Sequence, residues 1–135
     1  MFTSTLLGGT LGTTESGFVL AEWRDAGTGN GERRLIVPVH VHRSDDEAWY
    51  VLEGTLGILL GEQNIDVPAG GAVMVPRGMR HTYWNAGSGP LRYILAMPPT
   101  IYRLVQAIHA ATDRSPPALE ALFREHDSEF LGWEV

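Results

Sequence analysis

The chain contains no cysteine, which excludes disulfides, thiolate metal sites and cysteine nucleophiles and leaves the redox compartment undecided. Positive charge is scarce as well. Ten basic against sixteen acidic residues give a formal charge of -6, whereas a surface that tracks phosphates needs clustered Lys and Arg. The lone pair Arg33-Arg34 does not supply one, so no nucleic-acid partner is expected. No apolar run approaches the roughly 20 residues of a spanning helix, and the amino terminus lacks the basic-then-apolar layout of a secretion signal. A soluble, cytoplasmic chain with no membrane partner is the expectation. No internal repeat, low-complexity tract or long linker divides the sequence.

What is present suits one folded unit. The 135 residues are 44% hydrophobic and 19% charged, enough to bury about two thirds of the unfolded surface around a single core. Gly and Pro punctuate short apolar stretches at intervals typical of an all-β barrel or sandwich. Strands are expected at Phe18 to Trp23, Leu35 to His42, Ala48 to Leu52, Leu56 to Leu60, Asn64 to Val67, Ala72 to Val75, His81 to Trp84 and Leu91 to Met97. Asp25 to Glu32 is Gly-rich and lacks the Lys-Ser or Lys-Thr of a phosphate loop, so it reads as a mobile loop. After Pro98-Pro99 the pattern changes: Ile101, Leu104, Val105 and Ile108 recur at helical spacing. Ser115 and Pro116 then open a second helix with Leu119, Leu122 and Phe123 on its apolar face. The organisation expected is an arm or edge strand over 1–17, a barrel over 18–97 and a helical extension over 98–135. The two helices should cover a barrel end or a neighbouring subunit.

The chemistry concentrates at His40-Val41-His42, where strand alternation sends both imidazoles to one face and the valine to the other. Arg43 to Asp46 reads as a turn, and Glu47 opens the next strand, able to return a carboxylate to that face. His81 follows the tight turn Pro76-Arg77-Gly78. Three neutral imidazoles and one carboxylate suit Fe, Mn, Ni, Cu, Co or Zn, whereas Ca and Mg prefer all-oxygen shells. Other candidates have plainer readings. His109 falls on the polar face of its helix with Tyr102, Gln106 and Asp113 and should be solvated. His126 should be partly buried at a helix end, Asp45 and Asp46 are solvated turn residues, and Trp23 and Trp133 are packing residues.

These residues resemble the two motifs of the cupin superfamily. The first is matched by His40, His42, Glu47 and Gly54, and the second by Gly70, Pro76, Gly78, His81 and Asn85. Arg34 departs from the pattern, which often has a glycine upstream of the first histidine, but it touches a turn rather than a ligand. The resemblance covers about Val19 to Met97. It implies an all-β double-stranded β-helix, or jelly-roll barrel, followed here by the two short helices, and a homodimer. It makes His40, His42, Glu47 and His81 the metal ligands and the remaining motif positions turn and scaffold residues.

A six-coordinate ion held by four protein ligands keeps two positions for an anionic or chelating small molecule. The inward phase puts Trp49, Val51 and Tyr83 beside it, with Leu91, Tyr93, Leu95 and Met97 as a further candidate face, so the pocket should be apolar and aromatic. Because the scaffold hosts many activities, several readings stand. The leading one is a quercetinase-like, metal-dependent dioxygenase acting on a chelated enolate or catecholate, with Glu47 as catalytic base. The alternatives are a non-catalytic binding or sensing protein, and a metal-dependent isomerase or lyase.

Overall fold

The computed structural model describes residues 1–135. In chain order the elements are β1 (Thr10–Leu11), β2 (Val19–Asp25), β3 (His40–His42), β4 (Glu47–Glu53), β5 (Thr55–Leu60), β6 (Gln63–Pro68), β7 (Ala72–Val75), β8 (His81–Asn85), β9 (Leu91–Met97), α1 (Pro99–Ala110), α2 (Pro116–Glu125) and β10 (Ser128–Phe130). The strands form two five-stranded sheets, ordered β1-β2-β9-β4-β7 and β10-β3-β8-β5-β6, with every strand pair antiparallel. This is the expected double-stranded β-helix. No helix is long and apolar enough to cross a membrane.

Alternation builds the core between the sheets. Along β9, Leu91, Tyr93, Leu95 and Met97 are buried while the residues between them are partly exposed, and each inward side chain contributes roughly 1.5–3 kcal/mol of burial. Glu47, Trp49 and Val51 alternate inward in the same way on β4. Strand β8 is buried on both faces, because its outward Trp84 packs with Val39, Leu59 and Leu35 beneath the Arg33 guanidinium, 4.1 Å from the ring centroid.

Turn chemistry sets the registers that position the site. Gly54, between β4 and β5, has φ 79° and sits where a Cβ would strike the Pro90 carbonyl, so only glycine fits without strain. Asn85 closes the β8–β9 turn: its Oδ1 accepts the Gly87 N–H at 2.9 Å and its Nδ2 donates to the Gly89 carbonyl at 2.9 Å.

Two expectations change. The strand foreseen over Leu35 to His42 is regular only at His40–His42. Upstream, Leu35 makes an isolated bridge to Trp84 and the Ile36 N–H reaches the Tyr83 carbonyl. Pro38 then interrupts the ladder, having no N–H to give. The second change is β10, which was not foreseen. Asp127, at φ 55°, reverses the chain after α2, and β10 adds to the sheet edge beside β3, with Ser128 opposite His42. Ser115 does stand at the start of α2 but makes no side-chain cap bond; its N–H instead donates to Asp113 Oδ1 at 2.9 Å.

Candidate metal centre

Strand β3 turns both of its histidines inward, and His40 pairs directly across to His81 on β8. Glu47 arrives from β4 in the opposite sheet. All four are buried, and their ligand atoms lie within 4.8 Å of one another. The turn joining β3 to β4 is fixed from outside. Asp46 accepts the Arg77 backbone N–H at 2.8 Å and its guanidinium at 3.1 and 3.2 Å, and these bonds hold its carboxyl below the usual range. Asp46 is therefore a clasp between the turn after His42 and the turn before His81, not the solvated residue expected. The Gly78 N–H, 2.7 Å from the His42 carbonyl, ties the same two turns together.

Ring orientation follows from the partners of the three Nδ1 atoms. His40 Nδ1 lies 2.7 Å from the Pro38 carbonyl and His81 Nδ1 lies 2.9 Å from the Met79 carbonyl. A carbonyl only accepts, so each Nδ1 carries hydrogen. His42 Nδ1 is 2.7 Å from Ser128 Oγ, whose own hydroxyl donates to the His126 carbonyl at 3.0 Å, so this Nδ1 is also the donor. In their neutral forms all three rings then present a bare Nε2 lone pair to the centre. There, His40 Nε2 is 3.2 Å from His42 Nε2, and Glu47 Oε1 is 3.1 Å from His42 Nε2 and 2.7 Å from His81 Nε2.

Such a cluster of lone pairs has no hydrogen to share, and only a cation or added protons relieve it. Burial, followed by the neighbouring His81 and His42, pushes His40 well below its ordinary value, against taking up a proton. Burial is also the largest single influence on Glu47 and would raise its pKa, but the close contacts with His42 and His81 outweigh it and hold the carboxyl below the ordinary range. A divalent ion provides the same positive charge without protonating the rings, and the donor set fits one. His40, His42, Glu47 and His81 could thus hold a metal ion.

His40, His42 and Glu47 line a cavity of about 380 Å³, while His81 is fully buried outside its lining. Of the expected pocket residues, Trp49, Tyr83 and Tyr93 line it together with Leu95. Val51 does not: it is wholly buried, opposite Tyr93 in the strand ladder, and faces the core beyond the cavity. The roof comes from the carboxy-terminal segment, with Ile101, Leu104, Val105, Leu119 and Phe123 facing the ligand cluster. Phe123 lies edge-on to His40 with centroids 5.3 Å apart. The helices therefore cover the barrel end that holds the site. Trp23 and Trp133, read as packing residues, border the cavity, and exposed His109 stands at its rim beside Trp23. His126 is partly buried and bonded through Nδ1 to the Leu122 carbonyl at 2.7 Å. The residue that sequence reasoning missed outright is Ser128, which carries no local signal.

The cupin domain family matches residues 33–97. Among solved structures, the chain is similar to a cupin protein from Bacteroides fragilis at 16% identity and a TM-score of 0.53, over 62% of this chain and 66% of that one. A Klebsiella pneumoniae protein with a double-stranded β-helix domain aligns at 21% identity and a TM-score of 0.51, over 62% and 68%. The cupin domain of Schizosaccharomyces pombe Cnp3 aligns at 16% identity and a TM-score of 0.56, over 73% and 68%. At these identities the likeness is one of fold. No protein of curated function matches.

Proposed function

We propose, from the premise that the chain belongs to the cupin superfamily, that it is a metal-dependent oxygenase acting on a small, oxygen-rich, chelating compound. The observation that carries this reading is the convergence of three bare Nε2 atoms and one carboxylate at the floor of an apolar, aromatic cavity. A divalent ion bound there supplies Lewis acidity and, with one carboxylate ligand, a net positive charge that favours an enolate or catecholate oxygen.

The chain's own residues supply the rest. Glu47 Oε1 takes both imidazole contacts, which leaves Oε2 available on a residue that lines the cavity. That oxygen is placed to accept the proton of a ligand enol or catechol hydroxyl. Trp49 and Tyr83 hold the ring system by edge contacts, and the helical roof excludes water.

The test is a screen of flavonols, diketones and catechols for oxygen uptake by metal-loaded protein, with Glu47→Gln alongside. The reading expects turnover by the native chain and a loss of about 10² to 10⁴-fold in the fully metallated variant. Full recovery of Glu47→Gln at saturating metal would remove the base role. Saturable binding with no product would replace the enzyme by a binding protein.

A further inference from the structure

A row of edge-to-face rings, drawn from strands of both sheets and from α1, runs from the metal cluster to the rim. His81 meets Trp49 with centroids 6.0 Å apart, Trp49 meets Tyr83 at 5.3 Å, Tyr83 meets Tyr93 at 5.4 Å, Tyr93 meets Trp23 at 6.3 Å and Trp23 meets His109 at 6.4 Å. Three polar atoms interrupt this apolar row. The hydroxyls of Tyr83 and Tyr93 are hydrogen-bonded at 2.8 Å. The indole N–H of Trp49 is fully enclosed and has no partner, on a ring that meets Tyr83 edge-on.

The direction of the hydroxyl hydrogens follows from donor counting. An indole N–H only donates, so a Tyr83 hydrogen turned toward Trp49 would set donor against donor. The arrangement that avoids this has the Tyr83 oxygen facing the indole and its hydrogen donated to Tyr93. Tyr93 has then already accepted, and its own hydrogen has no protein acceptor. Burial, the leading influence on the Tyr93 phenol, pushes its pKa up, so this spare donor persists.

We propose that Trp49 polarises the Tyr83–Tyr93 pair so that the Tyr93 hydroxyl donates into the cavity, a second anchor that selects ligands carrying an acceptor oxygen away from their metal-binding end. This rests on the chelating-ligand reading above and narrows it to planar conjugated compounds with a carbonyl, carboxylate or phenolate oxygen beyond the chelating pair. Amine or hydrocarbon ends at that point would leave the Tyr93 hydrogen unpaired.

The experiment titrates zinc-loaded protein, without oxygen, with catechol and with 3,4-dihydroxybenzaldehyde by calorimetry. Because the aldehyde also acidifies the catechol, the quantity read is the change in preference between native chain and variant. Tyr93→Phe should lower the preference for the aldehyde by about five- to tenfold while leaving zinc content unaltered, and Trp49→Phe should lower it by less. Both probes bound with the preference unchanged in Tyr93→Phe would overturn the anchor and leave the chelating-ligand reading standing. Failure of the zinc-loaded native chain to bind either probe would overturn both.

Discussion

Removing one buried hydroxyl, in Ser128→Ala, isolates the contribution of the carboxy-terminal strand to the metal centre. Ser128 is 1% exposed; its Oγ accepts from His42 Nδ1 at 2.7 Å and donates to the His126 carbonyl at 3.0 Å. Truncation leaves the buried His42 N–H without its acceptor, a cost of about 1–3 kcal/mol. With an unfolding entropy of about 2.1 cal/mol/K per residue, a chain of 135 residues loses about 3.5 °C of Tm per kcal/mol, so a fall of about 4–10 °C is expected. The freed ring can also rotate, and partners of this kind contribute about 10- to 100-fold to metal affinity.

Thr82→Val provides the contrast. Thr82 is buried and its hydroxyl donates to the Val37 carbonyl at 2.6 Å, but it makes no hydrogen bond to a ligand ring. It should lose stability on a similar scale with affinity unchanged. Zinc competition against a chromophoric chelator measures affinity, and thermal unfolding of the metal-free proteins measures stability. If Ser128→Ala binds zinc within about twofold of the native chain, the orienting role is wrong, whatever its melting temperature.

The remaining predictions concern the ligands, the ion and a turn. His42→Ala should lower the metal content of protein purified without added metal, whereas His109→Ala, at an exposed rim position, should not; elemental analysis decides. An ion that binds only the folded barrel stabilises it by mass action, about 2.7 kcal/mol at a hundredfold excess over Kd. Chelation should therefore lower Tm by several degrees, and an unchanged melt after verified metal removal would uncouple the ion from stability. Gly54→Ala forces a side chain into a left-handed backbone and against the Pro90 carbonyl. It should destabilise by at least about 1–2 kcal/mol, read as a lowered denaturant midpoint.

The convergence of the four candidate ligands was legible because its geometry is local. His40 and His42 are one residue apart on a strand, and period-two alternation alone places them on one face. Alternation assigns a face but not a depth, which is why Trp49 reaches the cavity and Val51, two residues on and equally inward, meets only core. The interrupted strand before His40 was readable in principle from Pro38. Asp46 and Ser128 were not readable. Their partners stand 31 and 86 residues away, and a polar residue in a turn or a short strand bears no mark of a distant contact. Trp23 does pack against the core, as expected, and borders the cavity as well, whereas Trp133 is half exposed at its border; a tryptophan that packs and one that borders a cavity look alike in sequence.

The three rings differ in when their orientation is decided. His40 and His81 find Nδ1 acceptors two residues back along their own chain, in Pro38 and Met79, so forming β3 and β8 presets both. His42 depends on Ser128, which is in place only after α1 and α2 have crossed the barrel mouth and β10 has paired with β3. The same docking sets Phe123 against His40 and brings the apolar faces of both helices over the cavity. Roof closure and alignment of the third imidazole are thus one structural event. A barrel whose carboxy-terminal segment is displaced retains the four ligand residues but loses both the fixed tautomer of His42 and the dry surroundings that strengthen its bond to a cation. Residues 98–135 therefore belong to the candidate metal centre as much as the motif residues do.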